Sequence, residues 1–547
     1  MKVILRDLFV NKELNIARIL YSLPILVSPA LIFIIYGKYL YPDVLGFNIL
    51  IILLTVLGAT LIFNHSVGAI MEITSLILLN LMVFIDFSHI YLFEYNFSQS
   101  SMYVLLETNK SEASSFLSMY FDKNLFLFGS FILLCISVSS YLIRKYFRIN
   151  KSDYLIIEGG SRAIKQLFIF FSATLVFAVF LYYNKYNFLP YTIVKGYNHY
   201  HQDWLSFQKL GNNKVGGNFS NVKLKSNQSN QNVVLVLGES TTNGHMGIYG
   251  YYRNTTPRLN ELKNELLIFQ NVISPHASTI PSLSKILTLG DYNNPERKFD
   301  GSIIQLFNKA GFKTYWISAQ DKTGVNSSFV TGISNACDDQ IFISSYDYTP
   351  LDGEILNPLK EVLSNDTENK LIILHLLGTH TRYDERYPED FDKFKSTPRT
   401  KFKHEDAYKY INEYDNAILY NDYVISEIIS LLKESKTRSS FLYLSDHGEE
   451  VYQSLNIAGH WEEKFRSTMY EIPFIIWSSD YTTQHFKTFE IDVDRKYNSE
   501  DLIYTMADLA NVSFIEFDST KSLINKNFEY KNRMILKNLN FDQLSSE

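Results

Sequence analysis

The chain has 547 residues and a formal net charge of −6, and 15% of its residues are aromatic. Such a length exceeds what one hydrophobic core usually supports, so two or more domains are expected. The acidic balance argues against nucleic acid as a partner, and Cys135 and Cys337, the only two cysteines, argue against a disulfide framework or a thiolate zinc site.

The first third of the chain is apolar and contains segments near the about 20 residues that span a bilayer. The first segment starts too late, and is too long, for a cleavable signal peptide. Buried helices of a soluble protein are the alternative, but so many long runs favour a transmembrane domain over residues 1–184. The five predicted spans cover residues 19–37, 46–64, 68–93, 124–143 and 166–184.

Basic residues predict the orientation of these spans. They cluster in the N-terminal tail and again between the fourth and fifth spans, and the positive-inside rule puts both clusters in the cytoplasm. An odd number of spans then places the chain after about residue 185 on the opposite side. The outer loop at 94–123 carries an amphipathic helical pattern that fits a membrane surface.

Residues 185–230 are polar and aromatic, and we interpret them as an interfacial connector whose second half is a flexible linker. From 231 to 547, short apolar runs alternate with helical patterns. This alternation predicts an α/β domain whose mostly parallel sheet lies between helices. The predicted buried parallel strands are VVLVLG at 233–238, TYWIS at 314–318, LIILHLLG at 371–378, FLYLSD at 441–446 and IPFIIW at 472–477.

Polar residues follow three of these strands. Glu239 ends the first, and Asp446 with His447 ends the fourth. Ligands gather at the carboxyl ends of parallel strands, and this oxygen and nitrogen set suits zinc. Taken singly, each residue is equally consistent with a helix cap or a solvated turn.

A candidate nucleophile lies in SPHASTIPSLSKILT at 274–288. Pro281 suits the first turn of a helix, which puts Ser278 and Thr279 at the helix entrance, where free amides and the helix dipole favour an anion. A metal-bound hydroxyl there could attack a phosphate. The alternative is a simple N-cap hydroxyl, and the pattern does not choose between the two residues.

Two histidines complete the candidate set. His380 follows the third of these five strands and His460 lies in IAGHWEE. Either histidine could bind a second metal or act as the general acid that protonates a leaving alkoxide. A surface or capping role is the alternative for each of them. His375 lies inside the apolar run and is interpreted as a core residue.

The order of these motifs resembles the phosphoethanolamine transferases of Gram-negative inner membranes, which belong to the alkaline phosphatase superfamily. The resemblance covers nearly the whole chain and weakens after about residue 480. The motifs are ETNKSEA at 107–113, LGES at 237–240, GYYRNTTPRL at 250–259, SPHASTIPSLSKILT, HLLGTHTRYDERYP at 375–388, YDNAILYNDYV at 414–424, SDHGEE at 445–450, and GHWEE followed by YEIPFIIW.

The resemblance implies a role for each matching residue. Glu239, Asp446 and His447 match the family's tight zinc ligands, and Thr279, rather than Ser278, matches the nucleophile that also binds the metal. The remaining matches are residues near the substrate: His380 and His460, some of whose counterparts can hold a second zinc, Thr108 and Glu112 on the outer loop, and Lys322 in a loop of different length.

The implied reaction has two halves. A zinc-activated Thr279 takes phosphoethanolamine from phosphatidylethanolamine, and an acceptor on lipopolysaccharide then removes it from the threonine. A family Asn is Val104 here, and the chain lacks the cysteines of lipid A-modifying members. The branch that decorates core heptose is resembled by the cysteine-poor pattern, by GES in place of GET and by HASTIPSLSKILT, so heptose is favoured over a lipid A phosphate. The resemblance implies an inner-membrane enzyme with a periplasmic catalytic domain.

Three other functions compete with this interpretation. A phosphoglycerol transferase would share the spans, the zinc and the threonine, but GYYRNTTP and YDNAILYND favour phosphoethanolamine. A phosphatase or sulfatase would not need five spans. A catalytically inactive sensor would not need Glu239, Thr279, Asp446 and His447 together.

Overall fold

The computed structural model of the chain falls into two compact units, Met1–Leu105 with Ala113–Tyr200 and Leu106–Glu112 with His201–Glu547. The domain boundaries predicted from the sequence stay a prediction. The structure describes residues 12–37, 42–61, 65–108, 113–114, 116–117, 120–149, 160–225, 230–322, 329–345, 348–365, 368–463, 465–479, 491–536 and 539–544.

The first unit is built from long apolar helices. Three of them pack together: the Tyr21 and Ser140 hydroxyls share a hydrogen bond at 2.6 Å, and the side-chain amide of Asn80 donates to the Tyr21 carbonyl at 3.0 Å. Most of their buried side chains are apolar. The helices of this unit and of its connection to the second are α1 (Lys12–Tyr36), α2 (Pro42–Leu61), α3 (His65–Phe93), α4 (Gln99–Glu107), α5 (Lys123–Ile149), α6 (Gly160–Asn184) and α7 (Leu189–Asn212).

Large apolar side chains also cover the outside of these helices. Ile34 is 75% exposed, Phe168 73% and Leu133 66%. Water would make such a surface unstable, whereas lipid would cover it. Within the described residues, three stretches are long and apolar enough to cross a membrane, Glu13–Tyr36, Ile73–Phe93 and Lys123–Lys145. These helices are therefore long and apolar enough for a membrane domain, and the count of five spans stays a prediction.

The region predicted as a connector contains more order than its composition indicates. Helix α7 occupies Leu189–Asn212. Beyond it, Phe219 is buried in the core of the second unit, and Lys223–Leu224 pairs with Val512–Ser513. Residues 226–229 lie outside the described part of the chain.

A seven-stranded sheet forms the centre of the second unit, which confirms the predicted α/β architecture with a mostly parallel sheet. The strands are β1 (Gln231–Gly238), β2 (Leu266–Ile268), β3 (Lys313–Ser318), β4 (Asp339–Phe342), β5 (Lys370–His375), β6 (Arg438–Ser445) and β7 (Phe474–Ser478). Their order in the sheet is β2-β7-β6-β1-β5-β3-β4. Strands β1, β3, β4, β5 and β6 run parallel, and β2 and β7 complete one edge.

Helices cover both faces of this sheet, so its central strands are apolar on both sides. On one face, Val233 and Leu235 belong to the main core. On the other face, the Tyr443 hydroxyl donates to Asn421 of the longest helix at 2.9 Å. The helices of this unit after α7 are α8 (Pro257–Glu261), α9 (Thr279–Ile286), α10 (Ile303–Lys309), α11 (Phe329–Ser334), α12 (Leu356–Leu363), α13 (Glu405–Glu434), α14 (Leu502–Leu509) and α15 (Phe541–Leu544).

Strand β7 corrects one sequence prediction. IPFIIW was predicted to form a parallel strand, but β7 pairs antiparallel with β6, with Phe474 opposite Leu444. The chain leaves the carboxyl end of β6, forms loops there and re-enters the sheet from the same edge, so β7 has to run backwards. A continuous apolar run reports burial on both faces and carries no information on direction.

Four short two-stranded pairs complete the described part of the second unit. Two of them join segments far apart in the sequence, and the other two pair segments only a few residues apart. The pairs, apart from Lys223–Leu224 with Val512–Ser513, are Val272–Ile273 with Tyr497–Asn498, Glu450–Val451 with Ala458–Gly459, and Met534–Ile535 with Leu539–Asn540.

Candidate active site

The register of three parallel strands brings the predicted ligands together. Gly238, the last residue of β1, lies opposite Ser445, the last residue of β6. Glu239 and Asp446, each the next residue along its strand, therefore leave the sheet side by side. Leu237 of β1 lies opposite His375, so the loop that carries His380 leaves the same edge.

Glu239, Asp446 and His447 form a compact buried cluster whose ligand atoms all lie within 4.8 Å of one another. Nε2 of His447 is 3.3 Å from Oε1 of Glu239 and 3.5 Å from Oδ2 of Asp446. At most 3% of any of the three side chains is exposed. The structure thus groups the three residues that the sequence placed at strand ends.

Local hydrogen bonds fix the direction of each of these groups. Nδ1 of His447 lies 2.8 Å from the Gly448 carbonyl, which leaves Nε2 facing the cluster. Oδ1 of Asp446 accepts the backbone N–H of His447 at 2.7 Å and that of Ser240 at 3.1 Å. Ser240 adopts a left-handed conformation, φ 55°, to make this contact.

Burial and mutual charge interactions shift the pKa values of all three residues of this cluster. Burial, together with the charge of Glu239, raises the pKa of Asp446 well above its ordinary range. Burial also acts to raise the pKa of Glu239, but the hydrogen bond and charge of His447 outweigh it and lower that pKa. Burial opposes a charge on His447, yet the two carboxylates raise its pKa to about 10. The protein therefore buries two acids that need a positive charge beside them.

These residues fit a metal ion. Oδ2 of Asp446 is buried, and no N–H or O–H group of the described residues donates to it. Two carboxylates and one imidazole are ligands that zinc accepts. Buried carboxylates without donors are costly unless they coordinate a cation. The orphaned oxygen and the donor set together make this a candidate zinc centre.

Thr279 lies against this cluster at the start of α9. Its Oγ1 donates to Oε1 of Glu239 at 3.1 Å and lies 3.4 Å from Nε2 of His447. Ser278 is the N-cap residue in extended conformation, and its hydroxyl donates away from the cluster, to Oε1 of Glu462 at 3.0 Å. Of the two candidate hydroxyls, Thr279 is the one beside the metal-ligand set.

His460 is also brought to the site. Its ring centroid is 4.1 Å from that of His447, and its Nδ1 lies 2.6 Å from Oε2 of Glu449. The buried Glu449 accepts a second hydrogen bond, from the Tyr383 hydroxyl at 2.5 Å. His447, Glu449 and His460 form a second group with metal-ligand spacing.

The loop after β5 holds His380 close to Glu239. The N–H of Thr379, the preceding residue, donates to the Glu239 carbonyl at 3.0 Å, and its hydroxyl donates to the Ser240 carbonyl at 2.8 Å. Gly378 has φ +56°, and a Cβ there would lie 2.6 Å from the Glu239 carbonyl oxygen. The charge of His380 is among the influences that lower the pKa of Glu239.

Of the other three predicted substrate residues, Lys322 and Thr108 lie in the described part of the chain. Lys322 is exposed, and its Nζ lies 5.3 Å from the centre of the Phe342 ring. Thr108 follows α4, whose last residue, Glu107, accepts the Phe329 N–H at 3.3 Å. Glu112 lies outside the described residues.

Sequence reasoning missed several residues that support the site. Glu449 lies two positions after His447, and Glu462 lies two positions after His460, so an acidic residue close to each of these two histidines was a usable signal. Asp352 accepts the N–H groups of Leu377 at 2.7 Å and Gly378 at 2.8 Å, far from any recognised motif.

Comparison with known proteins agrees with this geometry. Residues 231–512 match the Sulfatase family model. Phosphoethanolamine transferase EptC of Escherichia coli O18:K1:H7 (strain RS218 / NMEC) is 33% identical over 470 residues, which cover 80% of this chain and 79% of that protein.

Two solved structures extend the comparison. The C-terminal periplasmic domain of EcEptC from Escherichia coli, in complex with Zn, has a TM-score of 0.55 and 35% identity, covering 58% of this chain and 92% of that one. The integral membrane protein lipooligosaccharide phosphoethanolamine transferase A (EptA) from Neisseria meningitidis shares the fold, with a TM-score of 0.57 and 20% identity over 84% of this chain and 90% of that one.

The fold and the site define the class first: the second unit is a Sulfatase-family domain of the alkaline phosphatase superfamily, attached to apolar membrane helices. The chain as a whole belongs to the phosphoethanolamine transferase family, as its motifs predicted.

Proposed function

We propose that this enzyme transfers phosphoethanolamine from phosphatidylethanolamine to lipopolysaccharide, with core heptose favoured over a lipid A phosphate, through a covalent intermediate on Thr279. The observation that carries the proposal is the position of Thr279, whose Oγ1 lies 3.1 Å from Glu239 and 3.4 Å from His447. A hydroxyl next to a metal-ligand set at a helix N-terminus is placed to attack a phosphoryl group.

Zinc would be held by Glu239, Asp446 and His447, with Thr279 as a further ligand. When bound, zinc supplies Lewis acidity that favours an ionised hydroxyl and offsets charge on phosphoryl oxygens. Support comes from the orphaned Oδ2 of Asp446 and from the Zn complex of the EcEptC domain. His460 and Glu449 offer groups for a second ion.

In the first half-reaction, Oγ1 of Thr279 forms a bond to the phosphorus of phosphatidylethanolamine, and the bond from phosphorus to the diacylglycerol oxygen breaks. The hydroxyl proton is released to water, because Oε1 of Glu239, to which Oγ1 donates, belongs to a proposed zinc ligand whose pKa is lowered. His380 or His460 gives a proton to the departing diacylglycerol oxygen. His460 suits this role because Glu449 holds its Nδ1 and leaves Nε2 for the substrate.

In the second half-reaction, an acceptor oxygen on lipopolysaccharide attacks the same phosphorus, and the bond to Oγ1 breaks. The histidine that protonated diacylglycerol takes the proton of the acceptor, and Oγ1 of Thr279 takes up a proton from water. The amides at the start of α9 stabilise the phosphoryl oxygens in both halves. Thr108, Glu112 and Lys322 are proposed to face the lipid substrates.

The proposal includes the arrangement in the membrane. Residues 1–184 form five spans with a cytoplasmic N-terminus, residues 185–230 connect at the membrane interface, and residues 231–547 form the catalytic domain in the periplasm of a Gram-negative cell. Support comes from the membrane-length helices and the exposed apolar side chains of the first unit. A donor that is a bilayer lipid requires an active site tethered to the membrane.

The test is intact-protein mass spectrometry of the full chain in detergent, after incubation with phosphatidylethanolamine and zinc. A phosphoethanolamine-sized increment, with release of diacylglycerol, is expected for the wild type. Thr279→Ala should show no increment. Ser278→Ala is the matched control, because Ser278 carries the neighbouring hydroxyl, and it should still be modified.

Other outcomes would redirect the assignment. An increment with phosphatidylglycerol but none with phosphatidylethanolamine would make the enzyme a phosphoglycerol transferase. Steady release of free phosphate or sulfate from simple esters would make it a hydrolase. The acceptor is tested by adding purified lipopolysaccharide with or without core heptose and locating the transferred group; modification that persists without heptose would favour lipid A.

A further inference from the structure

A second polar group, largely shielded from solvent, lies behind the nucleophile and is not used by the reaction described above. It consists of Glu462, His276, Lys285 and Tyr292, and we call it the loop clamp. Its members come from the loop before α9, from α9 itself, from the segment after α9 and from the segment after His460. The group therefore ties together four pieces of chain around Thr279.

Glu462 is the centre of the loop clamp. Its Oε1 accepts the backbone N–H of Ala277 at 2.8 Å and the hydroxyl of Ser278 at 3.0 Å, the two residues directly before Thr279. The same oxygen is 3.3 Å from Nδ1 of His276. One carboxylate oxygen thus contacts three consecutive residues of the nucleophile loop.

The contact with Ser278 has a consequence for the helix. Ser278 occupies the N-cap position of α9, where a serine hydroxyl usually accepts a hydrogen bond from a first-turn amide. Among the described contacts its hydroxyl makes no such cap and donates to Glu462 instead. The first-turn amides are left for another acceptor, which a phosphoryl oxygen satisfies.

A chain of hydrogen bonds holds Glu462 in turn. Nζ of Lys285 is 2.9 Å from Nε2 of His276, whose Nδ1 faces Glu462. Burial of the ring and, to a lesser extent, the charge of Lys285 lower the pKa of His276. A neutral ring can accept from Lys285 at Nε2 and donate to Glu462 at Nδ1. Tyr292 stacks on His276 with centroids 5.2 Å apart and donates to the Pro275 carbonyl at 2.8 Å.

We propose that Glu462 is a positioning residue for Thr279, holding the loop before α9 so that Oγ1 stays against the metal ligands and the first-turn amides stay open, and that Lys285 acts on Glu462 through His276. This inference rests on the proposed role of Thr279 as the nucleophile. Glu462 contacts only the loop before Thr279 in this role, and it touches neither the proposed metal nor the substrate.

The experiment compares Glu462→Gln and Glu462→Ala with the wild type in the full-length, zinc-loaded enzyme, with phosphatidylethanolamine as the donor. The measurements are the rate of adduct formation on Thr279, the KM for the lipid, zinc content and Tm. A misplaced nucleophile lowers kcat, by up to about 100-fold for a shift of about 1 Å. We expect kcat to fall in the order wild type, Gln, Ala, with KM and zinc content unchanged.

The control is Glu463→Gln, which makes the same substitution at the neighbouring exposed residue and should leave kcat unchanged. Lys285→Met tests the chain of contacts: because Lys285 acts through Glu462, its effect should vanish in the Glu462→Gln background. If the effects of Lys285→Met and Glu462→Gln on kcat are additive, Lys285 does not act through Glu462.

The outcomes separate the two proposals. If the wild type forms no adduct, the proposed function fails. If the wild type forms the adduct and Glu462→Ala forms it at the same rate, the positioning role fails and the proposed function stands. If Glu462→Ala loses zinc or unfolds, Glu462→Gln decides: an unchanged kcat with normal zinc content would make Glu462 a structural residue only.

Discussion

Nδ1 of His460 lies 2.6 Å from Oε2 of Glu449, a carboxylate with no exposed surface. A carboxylate in this position fixes the ring and its tautomer and directs Nε2 outwards. Glu449 is held in turn by the Tyr383 hydroxyl, at 2.5 Å from its other oxygen. The histidine therefore reaches the site already oriented.

Replacing Glu449 should impair catalysis more than folding. We expect Glu449→Gln to lower kcat by about 10- to 100-fold, since partners that orient a site histidine have effects of that size. Tyr383→Phe, which removes only the hydroxyl, should cost less. The rate of transfer at a fixed zinc occupancy measures this. An unchanged rate for Glu449→Gln would show that the orientation of His460 does not limit the reaction.

Removing one carboxylate charge should abolish tight zinc binding. Asp446 has a buried Oδ2 without a hydrogen-bond partner among the described residues. Asp446→Asn replaces this carboxylate with a neutral amide, which is a weaker metal ligand. A ligand at 100 times its Kd stabilises the native state by about 2.7 kcal/mol. The wild type should therefore show a rise in Tm when zinc is added and a fall after chelation, and Asp446→Asn should show neither.

Asp494→Asn is the control for that experiment, because Asp494 is exposed and the substitution makes the same chemical change elsewhere in the unit. Zinc content by elemental analysis should match the wild type in the control and drop in Asp446→Asn. Equal zinc content in both variants would contradict the assignment of the ligands.

The closeness of the candidate ligands was predictable, because the carboxyl ends of parallel strands lie at the same edge of a sheet. Once VVLVLG and FLYLSD were predicted to be buried parallel strands, Glu239 and Asp446 had to leave the same edge of the sheet. The structure adds that the two strands are neighbours, with Gly238 opposite Ser445. Pro281 likewise indicated a helix start next to Thr279. Both inferences used signals a few residues long.

The contacts of the supporting residues were not predictable, because their partners are distant in the sequence. Glu462 contacts Ala277 across 185 positions, and Tyr383 contacts Glu449 across 66. No periodicity or composition reports such contacts. The direction of β7 was missed for a related reason, since it depends on where the preceding loop re-enters the sheet.

Gly378 should be sensitive to the addition of a single methyl group. Its φ of +56° disfavours any side chain, and a Cβ would lie 2.6 Å from the Glu239 carbonyl oxygen and 2.7 Å from its nitrogen. Both atoms belong to backbone that carries a candidate metal ligand. We expect Gly378→Ala to lower Tm and also to weaken zinc binding.

Gly250→Ala separates the two effects. Gly250 has φ +97°, but nothing lies within 4 Å of the position that a Cβ would take, so only the conformational cost applies there. That cost is about 1 kcal/mol. Gly378→Ala should lose more stability than Gly250→Ala, and only Gly378→Ala should lose zinc. Equal losses in both variants would show that the clash with the Glu239 backbone has no effect.

Stability should depend on pH through Asp352, which holds the loop of His380 by accepting two backbone N–H groups. Burial raises the pKa of Asp352 from 3.8 to about 6, against the opposing effect of those hydrogen bonds and of Arg386. The folded state therefore binds a proton more tightly than the unfolded state. The contribution of the protonated group is complete below about pH 4 and is lost as the pH rises through about 6.

Each pKa unit corresponds to about 1.4 kcal/mol, so the free energy of unfolding should fall by roughly 3 kcal/mol from this group over that range. Asp352→Asn cannot titrate, and the difference in stability between the wild type and this variant should change with pH by that amount and in that direction. Chemical unfolding of both proteins at a series of pH values from about 4 to about 7.5 measures it. A difference that is constant with pH, or that grows in favour of the wild type as the pH rises, would show that Asp352 is ionised in the folded state throughout.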